Sequence, residues 1–327
     1  MSKDTMNAVY YKEFGGAEVL QLGELPVPLF TADEVLVQVA AAGINPIDRR
    51  LRAGELQEHF QRQWPITPGW DVSGRVVAVG KNVIDWKEGD DIVGLACTPL
   101  LHHGSYAEYL PIKASALAHK PEHIPFTDAA ALPLVSLTAW ESLAEYAKLK
   151  AGDSVLIQAG AGGLGSVAIP IAKHLGAKVY STARKINHDY VKSRGAAHVI
   201  DYTDTDYFRY IKKYEPAGIN AVLESLTGKT IINNAIRLVK PGGTVAYMNN
   251  EPPNLPEIQK NNIRTKFLHH SPNGKSLGKL MTLYAEGKIP LPKITVMDLE
   301  NAQAAHEKSE STRTQVKIVL RIQDLKN

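Results

Sequence analysis

The residues of this chain best placed to do chemistry are those with the least side chain, Gly160-Ala161-Gly162-Gly163-Leu164-Gly165. Their spacing is G-x-G-x-x-G. An uncharged apolar run, Val155-Leu156-Ile157, precedes them, and a helical pattern follows through Ile171 and Leu175, with Gly176 placed to end it. Strand, glycine turn and helix in that order are the context a dinucleotide fingerprint requires. The first glycine permits the tight turn, the second leaves bare backbone for a pyrophosphate, and the third lets helix and strand pack closely. The helix start adds free N–H donors. A turn serving packing alone, or one binding an adenosyl group without phosphates, has the same local sequence. Pro170 falls inside the predicted helix, so a kink is expected where it crowds the carbonyl of Ser166.

About twenty residues beyond the first glycine, an NAD site places Asp or Glu on the ribose 2′-hydroxyl. Here Lys178–Ser181 reads as the next strand, and no carboxylate occurs from Ser154 to His188. Ser181, Arg184 and Lys185 stand in its place. A guanidinium grips phosphate through paired hydrogen bonds, and an ammonium adds a point charge. That set predicts a pocket for the 2′-phosphate of NADP(H). The plainer reading is two solvated charges at a helix start, where cations are slightly unfavourable.

Elements must hold these residues in place. Strand candidates Val155–Gln158, Lys178–Ser181, His198–Ile200, Ala221–Glu224 and Thr244–Met248 alternate with helices, which predicts a doubly wound parallel sheet. Phe267–His270 is a candidate sixth strand. Residues 1–126 read differently, as short strands (Ala8–Tyr11, Glu34–Ala40, Val72–Val79, Asp91–Val93) separated by turns, a pattern that suits a compact barrel. A helical segment from Asp128 to Tyr146 is expected to break or start late at Pro133. Helices at Lys275–Glu286 and Ala302–Glu310 and a strand at Val316–Leu320 close the chain.

At 327 residues two domains are expected, and 44% hydrophobic with 22% charged residues is a globular composition. A net charge of +3 without a dense basic run indicates neither nucleic acid nor a membrane surface as partner. The lone cysteine, Cys97, excludes an internal disulfide and a multi-cysteine zinc site. With no apolar signal core at the N-terminus and no stretch near the roughly 20 apolar residues of a membrane span, a cytoplasmic enzyme is the simplest expectation.

Six segments together resemble the medium-chain dehydrogenase/reductase superfamily, in its zinc-free quinone oxidoreductase branch. They are Ala41–Asp48 (AAGINPID), Pro68–Gly80 (PGWDVSGRVVAVG), Gly104–Tyr109 (GSYAEY), Ala131–Trp140 (ALPLVSLTAW), the glycine turn, and Leu283–Ile289 (LYAEGKI). The resemblance implies an α/β chain. A GroES-like β-barrel catalytic domain (1–126) would be interrupted by a Rossmann NADP-binding domain (127–270), and residues 271–327 would return to the barrel. The active site would lie in the cleft between domains, and the branch forms homodimers through its Rossmann sheets. Zinc members carry Cys near Asn45 and Gly-His-Glu where Gly69-Trp70-Asp71 stand, and an amide and an indole are poor zinc ligands. Cys97, His102 and His103 read as loop and core residues rather than a metal cluster.

The implied reaction is hydride transfer from NADPH to a quinone, enal or enone, a small molecule already polarised by conjugation. The resemblance places Asn45 beside nicotinamide and acceptor, its amide donating to the acceptor oxygen, with Asp48 and Asp71 structural. It assigns cofactor contacts to Thr138, Gly162, Gly163, Leu164, Ser181, Arg184 or Lys185, and Tyr202 against the 2′-phosphate. Ser225 would touch the nicotinamide ribose, Tyr247, Met248 and Asn249 would edge the nicotinamide, and Arg313 would reach the adenosine. Branch members carry pocket tyrosines where Arg50 and Leu56 stand here. An enoyl-thioester reductase, with Arg49, Arg50 and Arg52 for the thioester's phosphates, and a non-catalytic NADPH-binding protein are the alternatives.

Overall fold

A computed structural model describes residues 4–268, 271–311 and 316–325. Arg313, His269 and His270 lie outside the described residues. Strands β1 (Thr5–Tyr10), β2 (Gln21–Pro26) and β3 (Glu34–Gly43) lead into the short helix α1 (Pro46–Arg52). Strands β4 (Asp71–Val79), β5 (Asp91–Leu95), β6 (Tyr109–Lys113) and β7 (Leu117–His119) follow. The expected helical segment is broken as its proline predicts, into α2 (Phe126–Ala130), α3 (Pro133–Trp140) and a π-helical turn at Glu141–Tyr146.

Alternation then begins: β8 (Ser154–Ile157), α4 (Gly163–His174), β9 (Lys178–Thr182), α5 (His188–Ser193) and β10 (His198–Ile200). It continues as α6 (Tyr207–Tyr214), β11 (Ile219–Glu224), α7 (Lys229–Leu238), β12 (Val239–Tyr247), α8 (Pro256–Lys260) and β13 (Arg264–Phe267). The chain closes with α9 (Gly274–Ala285), β14 (Ile294–Asp298), α10 (Ala302–Glu310) and β15 (Lys317–Arg321). The sixth strand of the alternating region thus begins three residues before its expected start.

The chain divides into two compact units. One comprises Met1–Leu134, Ser271–Gly287 and Pro292–Asn327; the other comprises Val135–His270 and Lys288–Leu291. In the first, a seven-stranded sheet runs β14-β15-β3-β4-β5-β7, with β6 also paired to β3. Along β3, Val35, Val37 and Val39 alternate into the core as period-2 side chains must. Beyond Val39 the alternation stops and every residue to Gly43 is buried, because Ala130 and Ala131, at the end of α2, pack against Ala41, while β15 pairs along the edge, Val319 opposite Gly43 and Arg321 opposite Ala41.

The second unit is a six-stranded parallel sheet in the order β10-β9-β8-β11-β12-β13. Counted in sequence this is 3-2-1-4-5-6, whose direction reverses between β8 and β11, where doubly wound sheets open a crevice at their carboxyl ends. All of β8 is buried, as a central parallel strand covered on both faces must be. The helix α4 continues through Pro170. The carbonyl that Pro170 leaves without its helical donor, that of Ser166, accepts from Arg194 Nε at 2.7 Å, and Arg194 also donates to the carbonyls of Leu291 (2.8 Å) and Pro290 (2.7 Å). Among the described residues no helix is long and apolar enough to cross a membrane.

Candidate functional site

The second unit, with its parallel sheet, presents a candidate nucleotide site at its crevice. Ala159, the residue after Gln158, takes a left-handed conformation (φ 50°), and Gly160 to Gly162 turn the chain into α4, with Gly162 as its N-cap. The glycines differ in why they are small. A Cβ on Gly160 would lie 2.2 Å from Ser181 Oγ, and one on Gly165 would lie 2.4 Å from the Ala159 carbonyl, so the protein's own atoms require both. A Cβ on Gly162 meets only the Ala159 carbonyl, at 3.2 Å, so here smallness leaves room for something outside the fold. The first amides of α4, from Gly163 and Leu164 onward, have no partner within the helix.

At the end of β9, Arg184 and Lys185 are exposed, and Arg184 Nε donates to the hydroxyl of Tyr202, itself 51% exposed, at 3.2 Å. The two cations and the tyrosine expected around a 2′-phosphate are therefore neighbours. Lys185 also donates its backbone N–H to Asp201 at 2.9 Å. Ser181 does not join them. It is fully buried under the turn and gives its hydroxyl proton to the Ile157 carbonyl at 2.7 Å, so its place is structural.

Across the switch point, Glu224 at the end of β11 is fully buried. It accepts the Leu226 N–H at 2.7 Å, and the Gln158 amide, its nitrogen turned toward the carboxylate, reaches both oxygens at 2.8 and 2.9 Å. Burial without a nearby cation pushes its carboxyl up to about 7. Ser225 and Asn249 sit at the rim, Asn249 donating to the Ser225 carbonyl. Met248 and Thr138 are buried, and Ser142 donates to the Thr138 carbonyl. Tyr247 was expected at the nicotinamide edge, but it is wholly within the sheet's core and donates to the Ile232 carbonyl at 3.1 Å.

The first unit holds a separate buried polar centre at the end of β3. Asn45 (1% exposed) caps α1, and its backbone N–H donates to Asp48 Oδ2 at 2.7 Å. Its side chain lies between Asp71 and Lys317. Since an ammonium only donates and a carboxylate only accepts, the amide orientation is fixed. Oδ1 faces Lys317 Nζ, and Nδ2 donates to Asp71 Oδ2 at 2.9 Å. Lys317 Nζ also pairs with Asp71 Oδ2 at 3.0 Å, and Asp71 Oδ1 accepts the Leu134 N–H at 2.8 Å. The expectation that Asn45 donates directly to an acceptor oxygen is therefore corrected: its amide is committed to the interior.

Lys317 escaped sequence reading, although a lysine inside the apolar run Val316–Leu320 was a signal for it. The surrounding arginines also sort differently from expectation. Arg49 and Arg50 both pair with Glu55 (2.6 and 3.2 Å), while Arg52 is 1% exposed and points inward. No three-arginine groove forms. The rings of His102 and His103 meet tilted, their centroids 4.0 Å apart, with His102 Nδ1 against the carbonyls of Gln63 and Pro65. Burial lowers His103 to about 4 and raises the Cys97 thiol to about 11.

Comparison with known proteins agrees with this architecture. Residues 31–122 match the family model "Alcohol dehydrogenase GroES-like domain", and residues 194–320 match "Zinc-binding dehydrogenase". An Arabidopsis thaliana protein named NADPH-dependent alkenal/one oxidoreductase, chloroplastic, is 37% identical over 74% of this chain and 62% of its own length. A human quinone oxidoreductase is 35% identical over 73% of this chain and 72% of its own. The structure of the quinone oxidoreductase from Coxiella burnetii superposes with a TM-score of 0.87 at 32% identity, covering 98% of this chain and all of that one. With its sheet order, glycine turn and GroES-like unit, the chain belongs to the medium-chain dehydrogenase/reductase superfamily, in the quinone oxidoreductase branch.

Proposed function

We propose that this protein is a metal-independent reductase that transfers hydride from NADPH to a quinone or an α,β-unsaturated carbonyl. The observation that carries the reading is Lys317. In zinc members a metal stands at the position of Asn45 and Trp70; here the oxygens of Asn45 and Asp71 face the protein's own ammonium. Trp70 offers an indole, which does not ligate zinc. Among the described residues no group of three His, Cys, Asp or Glu is arranged to hold a metal ion. The donor set does not fit zinc, so the acceptor must arrive already polarised, as quinones and enones do.

The cofactor supplies the hydride. Gly162 and the first amides of α4 would cradle its pyrophosphate, and Arg184, Lys185 and Tyr202 its 2′-phosphate, with Thr138, Ser225, Met248 and Asn249 around the nicotinamide half. Names of relatives support the reading: the Arabidopsis protein is named for NADPH and alkenals, the human one for quinones. In the first unit Asn45 is held by Asp71, Lys317 and Asp48.

Two measurements test this. Replacing both Arg184 and Lys185 with Ala should weaken NADPH by about 10- to 100-fold while NADH changes little, the size expected for lost charge-assisted bonds. Equal losses for the two cofactors would remove the phosphate assignment. NADPH oxidation with a panel of quinones and enones should persist after exhaustive chelation, and loss of activity to a chelator would end the metal-free reading.

A further inference from the structure

Behind Asn45 runs a chain of buried side chains drawn from both ends of the sequence. Arg52 Nη1 lies 2.7 Å from His306 Nδ1, His306 Nε2 lies 3.1 Å from Tyr106 Oη, and Tyr106 Oη lies 3.3 Å from Asp48 Oδ2. All of these side chains are at most 1% exposed. The outer end is anchored where Arg52 Nη2 pairs with Glu310 at 2.7 Å, the Glu310 side chain being 32% exposed. Helices α1 and α10 and the Gly104–Tyr109 segment are joined through it.

The direction of every hydrogen bond in this chain is determined. A guanidinium has no acceptor, so His306 Nδ1 must accept from it. Burial, with Arg52 adjacent, lowers His306 to about 3, so the imidazole is neutral and carries its proton on Nε2. Nε2–H then donates to Tyr106, which is left to donate its own proton to Asp48. Burial and the neighbouring Asp48 charge hold the Tyr106 phenol well above its ordinary range, so it never competes as an anion.

At the inner end Asp48 is poorly served. Oδ2 accepts from the Asn45 N–H and from Tyr106, but among the described residues Oδ1 has no hydrogen-bond partner. Asp71 repels its charge, while Lys317 favours it, and Tyr11 packs nearby. Resting on the function proposed above, we propose that Arg52, His306 and Tyr106 are positioning residues whose one-way relay holds Asp48 as the carboxylate that fixes Asn45. Burial pushes Asp48 up to about 7, so each donor to its charged form sets how much of the protein is correctly organised near neutrality. The donors lower that value and their loss raises it.

The test combines a titration with kinetics on the full chain. The Asn45 backbone amide proton, followed by NMR against pH, should report Asp48 ionisation with a midpoint near 7. Tyr106→Phe and His306→Leu should each move the midpoint up by about one unit and lower kcat by about tenfold at pH 7, with the NADPH Kd unchanged. His306→Gln can accept from Arg52 and donate to Tyr106, so it should restore both. Unmoved midpoints in Tyr106→Phe, or a His306→Gln variant no better than His306→Leu, would overturn the relay. So would wild-type 15N shifts showing His306 protonated on Nδ1, a readout that stands even if the leucine variant fails to fold. An inactive wild type with the expected midpoint shifts would instead retire the proposed reaction and leave the relay standing.

Discussion

At the glycine turn the site is made by side chains that are absent, whereas at Asn45 it is made by charged side chains brought in from across the chain. The turn is complete within the seven residues Ala159–Gly165; the demands on Gly162 and Gly165 come from the Ala159 carbonyl, and only that on Gly160 comes from farther along the chain, from Ser181. The Asn45 centre needs residues 45, 48, 71 and 317, with a second tier at 52, 106 and 306. A site built from bare backbone tolerates change until an atom intrudes on it. A site built from buried charges tolerates almost no single change, because each removal strands a partner.

The largest expected effect follows from that asymmetry. Lys317→Met would leave Asp71, which is fully buried, without its cation. Breaking a buried pair from one side costs about 3–5 kcal/mol, so chemical denaturation should show a loss of that order. Adding Asp71→Asn to the same protein should recover much of it, since the stranded charge is then gone. If the single variant were as stable as wild type, the centre would not be an interdependent unit and the contrast with the turn would fail.

The same contrast decides what could be read from sequence. Strand ends at the crevice were legible to within a residue or two for β8, β9 and β10, because apolar runs bounded by glycine are local signals. The cluster of Arg184, Lys185 and Tyr202 was legible by two routes: Arg184 and Lys185 follow a strand, while Tyr202 came only from the family resemblance, and the fold sets it against Arg184. The Asn45 centre was hardly legible at all. Lys317 and Asp71 are 246 positions apart, and nothing near either residue names the other. Ser181 and Tyr247 were misplaced for a related reason: side chains alternate across a strand, and which of two neighbours faces the crevice depends on the exact register. Pro170 looked like a fault in its helix because Arg194, the donor that answers it, comes from a later turn of chain.

A middle-sized effect separates glycines within the turn. Gly165→Ala forces a Cβ to within 2.4 Å of the Ala159 carbonyl and 2.7 Å of Gly160 Cα, backbone that cannot swing away. It should cost about 3 kcal/mol of the nucleotide unit's stability, at the upper end for overpacking. Gly162→Ala meets only one atom, at 3.2 Å, and should leave thermal stability within about 1 kcal/mol while weakening NADPH by at least about tenfold. Equal loss of stability in the two variants would mean that Gly162 serves the fold and leaves no room for a phosphate.

The smallest effect tests whether the nucleotide unit has a buried-charge liability of its own. Among the described residues Glu224 is hydrogen-bonded by Gln158 and Leu226 and pairs with no cation, unlike Asp71 with Lys317. Its carboxyl rises from 4.5 to about 7 in the folded protein, chiefly through burial. The folded state therefore binds more protons than the unfolded state between those values, and stability must fall as pH rises through that window. The loss should be about 2–3 kcal/mol between pH 4.5 and 7, nearly complete above 7 and nearly absent below 4.5. Glu224→Gln keeps the size and removes the charge, so the variant should gain on wild type as pH rises and exceed its thermal stability at pH 8. The quantity to compare is the difference between the two proteins at pH 5 and pH 8, since other groups titrate equally in both. A difference that does not change with pH would show that the Gln158 and Leu226 donors alone satisfy this carboxylate, and that an uncompensated charge is tolerated in one unit but not in the other.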